Sequence, residues 1–200
     1  MLLDASQAQL VLVDYQVRLM PAIFDGSMVL ANAVRLGKLA RLMGVPTWGT
    51  EQNPAKLGNN VAELKELCGR TIGKMRFSAV QEGLMPCLRP PRSSAVGNAR
   101  SIPERVRGGG TPSPLRNSIV VAGCEAHVCL LQTALELIES DFDVWVVTDA
   151  CGSRAERNRD AAFDRLVGAG AELVTTEMVA FEWLQSAQHP AFRAVQALIK

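Results

Sequence analysis

The sequence predicts an α/β fold in which a mostly parallel sheet is covered by helices on both faces. Three observations carry this reading. Short, continuously apolar runs read as strands buried on both sides. Segments with helical periodicity alternate with them along most of the chain, which is the pattern of repeated βα units. The length of 200 residues, with 48% hydrophobic and 20% charged side chains, suits one domain with a core of its own and no need of a disulfide or metal staple.

Taken in order, Leu10–Val13 is the first strand. Ser27 is placed to cap a helix that runs to about Met43, with Val29, Leu30, Ala33, Val34, Leu36, Ala40 and Met43 on one face and Gly44 ending it. Val45–Thr50, entered through Pro46, is a second strand; Val61–Leu67 is a short helix and Thr71–Lys74 a third strand. The strongest βα unit is Ser118–Ala122, broken by Gly123 and followed by a helix over Ala126–Ser140 with Val128, Leu131, Ala134, Leu135 and Ile138 at helical spacing. Val144–Thr148 (strand), Glu156–Val167 (helix), Glu172–Thr175 (strand) and helices over Glu177–Gln185 and Ala191–Ile199, the last started by Pro190, complete the chain. In parallel sheets function gathers at the carboxyl ends of the strands. Here those ends carry Asp14-Tyr15-Gln16, Thr50-Glu51-Gln52, Lys74, Gly123-Cys124-Glu125 and Thr148-Asp149.

One stretch breaks the alternation. Between Pro86 and Arg116 lie six of the ten prolines, four glycines, six arginines and a single acid, Glu104. Its net +5 against +1 for the whole chain leaves about −4 on the remainder. It reads as an insertion: a lid or an arm to a neighbouring subunit on one view, a surface elaboration on the other. It has no Phe, Tyr or Trp on which bases could stack.

Composition excludes several chemistries. Twenty-one Lys+Arg against 20 Asp+Glu gives no global attraction to nucleic acid or to a membrane surface. The N-terminus lacks the basic and apolar regions of a leader, and no apolar run approaches the ~18 residues of a membrane span. Five cysteines without a C-x-x-C pair form neither a disulfide framework nor a zinc ribbon, so free thiols in the cytoplasm are expected. Gly123 stands in no G-x-G-x-x-G, and the triple glycine at 108–110 is followed by Thr-Pro-Ser, so no nucleotide cofactor is expected. With only His127 and His189, histidine-rich metal sites are excluded, and no cofactor is expected at all.

An acid, a lysine and a cysteine remain, each at the end of a strand: Asp14, Lys74 and Cys129. Singly they read as a turn cap, a surface lysine and a small buried residue. Together they form a nucleophile, a proton acceptor and a cation. A thiol near a helix N-terminus and an ammonium has its thiolate stabilised, and a carboxylate can take the thiol proton and later return it to a leaving amine. Backbone N–H groups of the turn around Glu125 and Cys129 could hold the oxyanion formed on attack.

Spacing alone does not bring the three together. The motifs LVLVDYQ, TEQNPAKLG, IGKMRFSAV, GCEAHVCLLQTALEL, VVTDACGSR and HPAFRAVQALIK, in this order over nearly the whole chain, resemble the isochorismatase-like cysteine hydrolase superfamily, and within it the isochorismatase domain-containing hydrolases. The resemblance implies a three-layer α/β/α, Rossmann-like single domain over 1–200, with 86–116 as an inserted loop. It implies a catalytic triad of Asp14, Lys74 and Cys129, with Cys129 the nucleophile, a non-proline cis peptide at Cys124–Glu125, and a homo-oligomer, dimer or tetramer. Metal-binding nicotinamidases of the superfamily carry an aspartate and several histidines after the second strand. Thr50-Glu51-Gln52-Asn53-Pro54 stands there instead, which points to a metal-independent enzyme. True isochorismatases lack the cysteine, so Cys129 favours hydrolysis of a small amide-type C–N bond through a thioester. Gln16, Glu51, Gln52 and Phe77 are the candidates for lining the substrate pocket. An ether hydrolase of the isochorismatase type and a non-catalytic interaction protein on the same fold remain as alternatives.

Overall fold

The computed structural model describes residues 2–90 and 116–200, so residues 91–115 of the inserted stretch lie outside the described residues. Six strands form one sheet: β1 (Ala8–Val13), β2 (Thr47–Gln52), β3 (Arg70–Lys74), β4 (Ser118–Gly123), β5 (Asp143–Val147) and β6 (Glu172–Val174). Their order is β3-β2-β1-β4-β5-β6, and every pairing is parallel. All residues of β1 and of β4 are buried, as continuous apolar runs in the middle of a doubly covered sheet must be.

Helices supply the two outer layers. On one face α1 (Gly26–Leu42) packs with α7 (Thr176–Leu184) and α8 (Phe192–Ile199). On the other, α5 (Leu131–Glu139) packs with α6 (Glu156–Gly168). Three one-turn helices, α2 (Pro54–Leu57), α3 (Ala62–Lys65) and α4 (Met85–Leu88), decorate the connections on the β2–β3 side. The architecture is the three-layer α/β/α, Rossmann-like one. Among the described residues no helix is long and apolar enough to cross a membrane.

Some local expectations shift. Ser27 is inside α1 rather than capping it. The N-cap is Asp25, at φ 52°, whose side chain makes no cap bond. Pro190 stands just ahead of α8, which starts at Phe192 after Ala191 as N-cap. The helix expected from Ala126 begins with a π turn over Ala126–Leu130 before continuing as α5.

Strand order places the site. The chain builds outward from β1 to β2 and β3, then returns to lay β4 on the other side of β1. A crevice opens where the order reverses, at the carboxyl ends of β1 and β4. Gly123, ending β4, is paired with Val13, ending β1. A Cβ there would sit 2.5 Å from both Cβ and the carbonyl oxygen of Val13. Only glycine permits this approach of the two strand ends.

Candidate active site

Each of the three singled-out residues leaves a different strand. Asp14 follows β1 in the left-handed region (φ 55°), which turns it off the strand line, a conformation aspartate tolerates better than most residues. Lys74 is the last residue of β3 and is in register with Gln52, the last of β2. Cys129 sits in the π turn that follows β4. All three side chains are buried, Asp14 at 0%, Lys74 at 1% and Cys129 at 6% exposure. The structure therefore brings together three groups more than fifty residues apart in sequence.

Lys74 Nζ lies 2.8 Å from Asp14 Oδ2. It also donates to Gln52 Oε1 and to the Phe77 carbonyl, both at 2.8 Å, with the Arg76 carbonyl more distant at 3.4 Å. The ammonium thus has three oxygens at 2.8 Å, one of them a carboxylate's. The other carboxylate oxygen, Asp14 Oδ1, accepts from the Thr50 hydroxyl at 2.7 Å. The Cys129 thiol donates to Gln52 Oε1 at 3.9 Å, and the Asp14 and Lys74 charges both act on it.

This environment keeps the resting thiol protonated. Burial and then the Asp14 charge push Cys129 up to about 12, and the Lys74 ammonium opposes them only in part. Burial thus reverses the acidic thiol expected from a helix start.

Around Cys129, the Glu125 carbonyl accepts from Val128 N–H at 3.1 Å and from Leu130 N–H at 3.3 Å, skipping the N–H of Cys129 between them. The Cys124–Glu125 peptide is cis. The Cys124 thiol is fully buried, and burial first and the neighbouring Cys151 next raise it well above its ordinary value. The Glu125 carboxylate binds Arg154, with Oε1 3.0 Å from Nε and Oε2 accepting from Arg154 N–H at 3.2 Å. His127, half-buried, pairs through Nδ1 with Ser153 Oγ at 3.0 Å.

The four pocket candidates divide. Gln52 joins the triad directly. Phe77 contributes its carbonyl to Lys74 while its ring is 51% exposed. Gln16 is buried and saturated: Nε2 donates to the carbonyls of Gln52 and Gly58, and Oε1 accepts from Gln52 N–H. Glu51 turns to the opposite face of β2, where Oε1 accepts from Asn60 N–H at 2.8 Å and meets Lys65 at 3.7 Å. The structure does not bring Gln16 or Glu51 to the thiol. Thr50 and the backbone carbonyls of Phe77 and Met75 were not singled out from the sequence. The strand alternation of β2, Thr50 and Gln52 on one face and Glu51 on the other, is the signal that marks Thr50.

Known proteins resemble this chain in sequence and share its fold. The isochorismatase domain family matches residues 8–178. Isochorismatase domain-containing protein 2 of Bos taurus is 36% identical over 172 residues, 86% of this chain and 73% of that protein. The MAR1 ribonuclease of Caenorhabditis elegans has a similar structure, with TM-score 0.84 at 29% identity, over 100% of this chain and 92% of that one. So has the YcaC gene product of Escherichia coli, an octameric hydrolase of unknown specificity, with TM-score 0.75 at 26% identity, over 98% of this chain and 95% of that one. Fold and sequence agree on one placement: this chain belongs to the isochorismatase-like hydrolase family.

Proposed function

We propose that the protein is a metal-independent cysteine hydrolase that cleaves a small amide-type C–N bond through a thioester on Cys129. The observation that carries this reading is the buried Cys129 thiol beside the Asp14–Lys74 ion pair: it donates to Gln52 Oε1 at 3.9 Å, and that oxygen and Asp14 Oδ2 both lie 2.8 Å from Lys74 Nζ. Asp14 removes the thiol proton and the sulfur attacks the substrate carbonyl. The tetrahedral oxyanion sits against the N–H groups of Glu125 and Cys129. The C–N bond breaks as Asp14 returns its proton to the amine, which leaves. Water, deprotonated by Asp14, then attacks the thioester and releases the acid and the free thiol. Lys74 holds the carboxylate in place and balances the charge that passes between oxygen and sulfur. The scheme invokes no metal, and the polar side chains at the end of β2 are engaged within the protein, Thr50 with Asp14 and Gln52 with Lys74.

The burial of Asp14, Lys74 and Cys129 favours a small substrate. Described cysteines are all free thiols, which fits a reducing compartment such as the cytoplasm. The octamer of the Escherichia coli relative supports a homo-oligomer here. Light scattering on the purified chain decides this, and a monomer at micromolar concentration rules it out.

A panel of small amides tests the chemistry. Amine release is expected from wild type and is lost in Cys129→Ala, and acid quench during turnover is expected to leave the acyl mass on the Cys129 peptide. Turnover by Cys129→Ala would overturn the thioester route. Isochorismate cleavage that survives Cys129→Ser would place the protein with the ether hydrolases. An RNA arm is included because the nematode relative is called a ribonuclease; degradation that vanishes in Lys74→Met would also sink the amide reading.

A further inference from the structure

Gln52 is held more firmly than a pocket-lining side chain needs to be. Its backbone is clasped from both sides by Gln16: Gln52 N–H donates to Gln16 Oε1 at 2.8 Å, and Gln16 Nε2 donates to the Gln52 carbonyl at 3.0 Å. Its side-chain Nε2 donates to the Met75 carbonyl at 2.8 Å. These contacts, with an ammonium on the other side that can only donate, fix which end of the amide faces the site. Oε1 therefore points at Lys74, 2.8 Å away, and at Cys129 Sγ, 3.9 Å away. It stands between the cation and the sulfur.

The proton count of Lys74 gives this position a consequence. It has three protons, and its Nζ is surrounded at 2.8 Å by Asp14 Oδ2, Gln52 Oε1 and the Phe77 carbonyl, with the Arg76 carbonyl at 3.4 Å, so a thiolate that takes an N–H displaces one of these oxygens. The Asp14 contact is an ion pair and the Phe77 carbonyl is fixed by the backbone. Gln52 is the one neutral side chain of the three, and it is the acceptor next to the sulfur. We propose that Gln52 is a positioning residue: in the resting site its carbonyl oxygen occupies the Lys74 N–H that a Cys129 thiolate takes when it forms. This deepens the cysteine-hydrolase reading and rests on it for the role of Lys74. When the thiol proton moves to Asp14, the Lys74 N–H turns from Gln52 Oε1 to sulfur; when the thioester is hydrolysed and the thiol reforms, it turns back. Nothing is oxidised or reduced, and the proton count is unchanged. The glutamine thus keeps the thiol neutral between turnovers while keeping the ammonium in reach.

The test needs no known substrate. Cys129 alkylation by iodoacetamide is followed by peptide mass spectrometry from pH 6.5 to 8.5, where the fold is stable, with the half-buried Cys87 in the same sample as reference. Gln52→Leu removes the acceptor and frees an N–H for sulfur. Cys129 is expected to become more acidic, and each unit of acidity raises alkylation about threefold, tenfold more thiolate offset by lower intrinsic nucleophilicity. Gln52→Glu, of the same shape, adds a charge that binds the ammonium harder and disfavours the thiolate; Cys129 alkylation is expected to slow by a similar factor. Cys87 is expected to label at the wild-type rate in both. With an accepted amide, both variants lower kcat while KM stays within about twofold, since only transition-state charge is affected.

Opposite shifts in the two variants support the proposal. Equal profiles in all three proteins, or shifts of the same sign, overturn it, as does a rise in KM with an unchanged alkylation profile, which would make Gln52 a substrate contact. If Gln52→Leu does not fold, Gln52→Glu decides alone: slower labelling supports and equal or faster labelling overturns. If no amide is turned over by wild type, the cysteine-hydrolase reading fails in that arm, while the alkylation arm still reads the Gln52–Lys74–Cys129 geometry by itself.

Discussion

Lys74 and Asp14 form an ion pair with both side chains at 0% exposure, and its energetics differ from those of a surface pair. Two charges removed from water repay their desolvation only through close mutual contact and further hydrogen bonds. Thr50, Gln52 and the Phe77 carbonyl provide those. Such a pair is a poor source of net stability but a costly one to break. Lys74→Met leaves a carboxylate in the core without its cation and is expected to lose about 3–5 kcal/mol in urea unfolding. Asp14→Asn, which keeps a side chain suited to the left-handed backbone, strands the ammonium instead. The double variant Asp14→Asn/Lys74→Met removes both charges and is expected to be more stable than either single variant. A double variant that loses the sum of the two single losses would show that the charges do not interact. The proposed mechanism gives a reason to keep such a pair: the same burial that makes it expensive lets the Asp14 charge act on the thiol.

At the level of elements, the sheet was legible in the sequence because its central strands are continuous apolar runs, Leu10–Val13 inside β1 and Ser118–Ala122 inside β4. The site was legible less evenly. β2 was expected over Val45–Thr50 and runs over Thr47–Gln52. Those two further residues set which side chains face Asp14, and so Glu51 and Gln52 looked alike when they are opposite. One-turn helices such as α2 and α4 have too few residues to stand on propensity and depend on packing, and the π turn depends on where the Glu125 carbonyl points. Convergence of Asp14, Lys74 and Cys129 came from resemblance, since loop closure over such separations leaves no local mark. The inserted stretch is anchored at the edge of the sheet opposite the site. Gln9, at the start of β1, donates from Nε2 to the carbonyls of Leu88 and Arg116, and its Oε1 accepts from Trp48 Nε1. Arg89 reaches Asn117 Oδ1 at 2.7 Å and stacks 3.9 Å above the Phe142 ring. The described residues on either side of 91–115, Leu88-Arg89 and Arg116-Asn117, are thereby held at the amino ends of the strands, whereas Asp14, Lys74 and Cys129 are at the carboxyl ends. Replacing 91–115 by a five-residue Gly/Ser linker is expected to leave activity unchanged and to stabilise slightly, since a roughly fivefold shorter loop costs about 1.4 kcal/mol less to close. Loss of activity in a folded deletion variant would give the stretch a part in the site. Gln9→Leu, which strands two carbonyls and an indole N–H, is expected to cost about 2–3 kcal/mol in the same urea assay.

The whole molecule carries its cysteines in a way that shapes its response to pH. Burial, as the largest cause in each case, pushes Cys68 up to about 11 and Cys129 and Cys151 up to about 12. It also raises Cys124 and Tyr15 well above their ordinary values. The ordinary thiol value, which the unfolded chain approaches, is 9.0. Folding therefore holds these protons, and the unfolded chain releases them first as pH rises. The contribution is fully present below pH 9 and is lost progressively between about 9 and 12. Each thiol in this window removes about 1.4 kcal/mol per pH unit. With four such thiols the slope near pH 10 approaches about 5 kcal/mol per unit, so a stability of about 5–15 kcal/mol is exhausted within roughly one to three units. Urea unfolding is expected to give a constant stability from pH 7 to 8 and a steep fall from pH 9 to 10. Cys151→Ala removes one of the four groups and should flatten that fall by about a quarter, whatever it does to stability at neutral pH. A stability unchanged up to pH 10 would mean that the thiols ionise in the folded protein as readily as in the unfolded one, and the protonated resting state of Cys129 would fall with it.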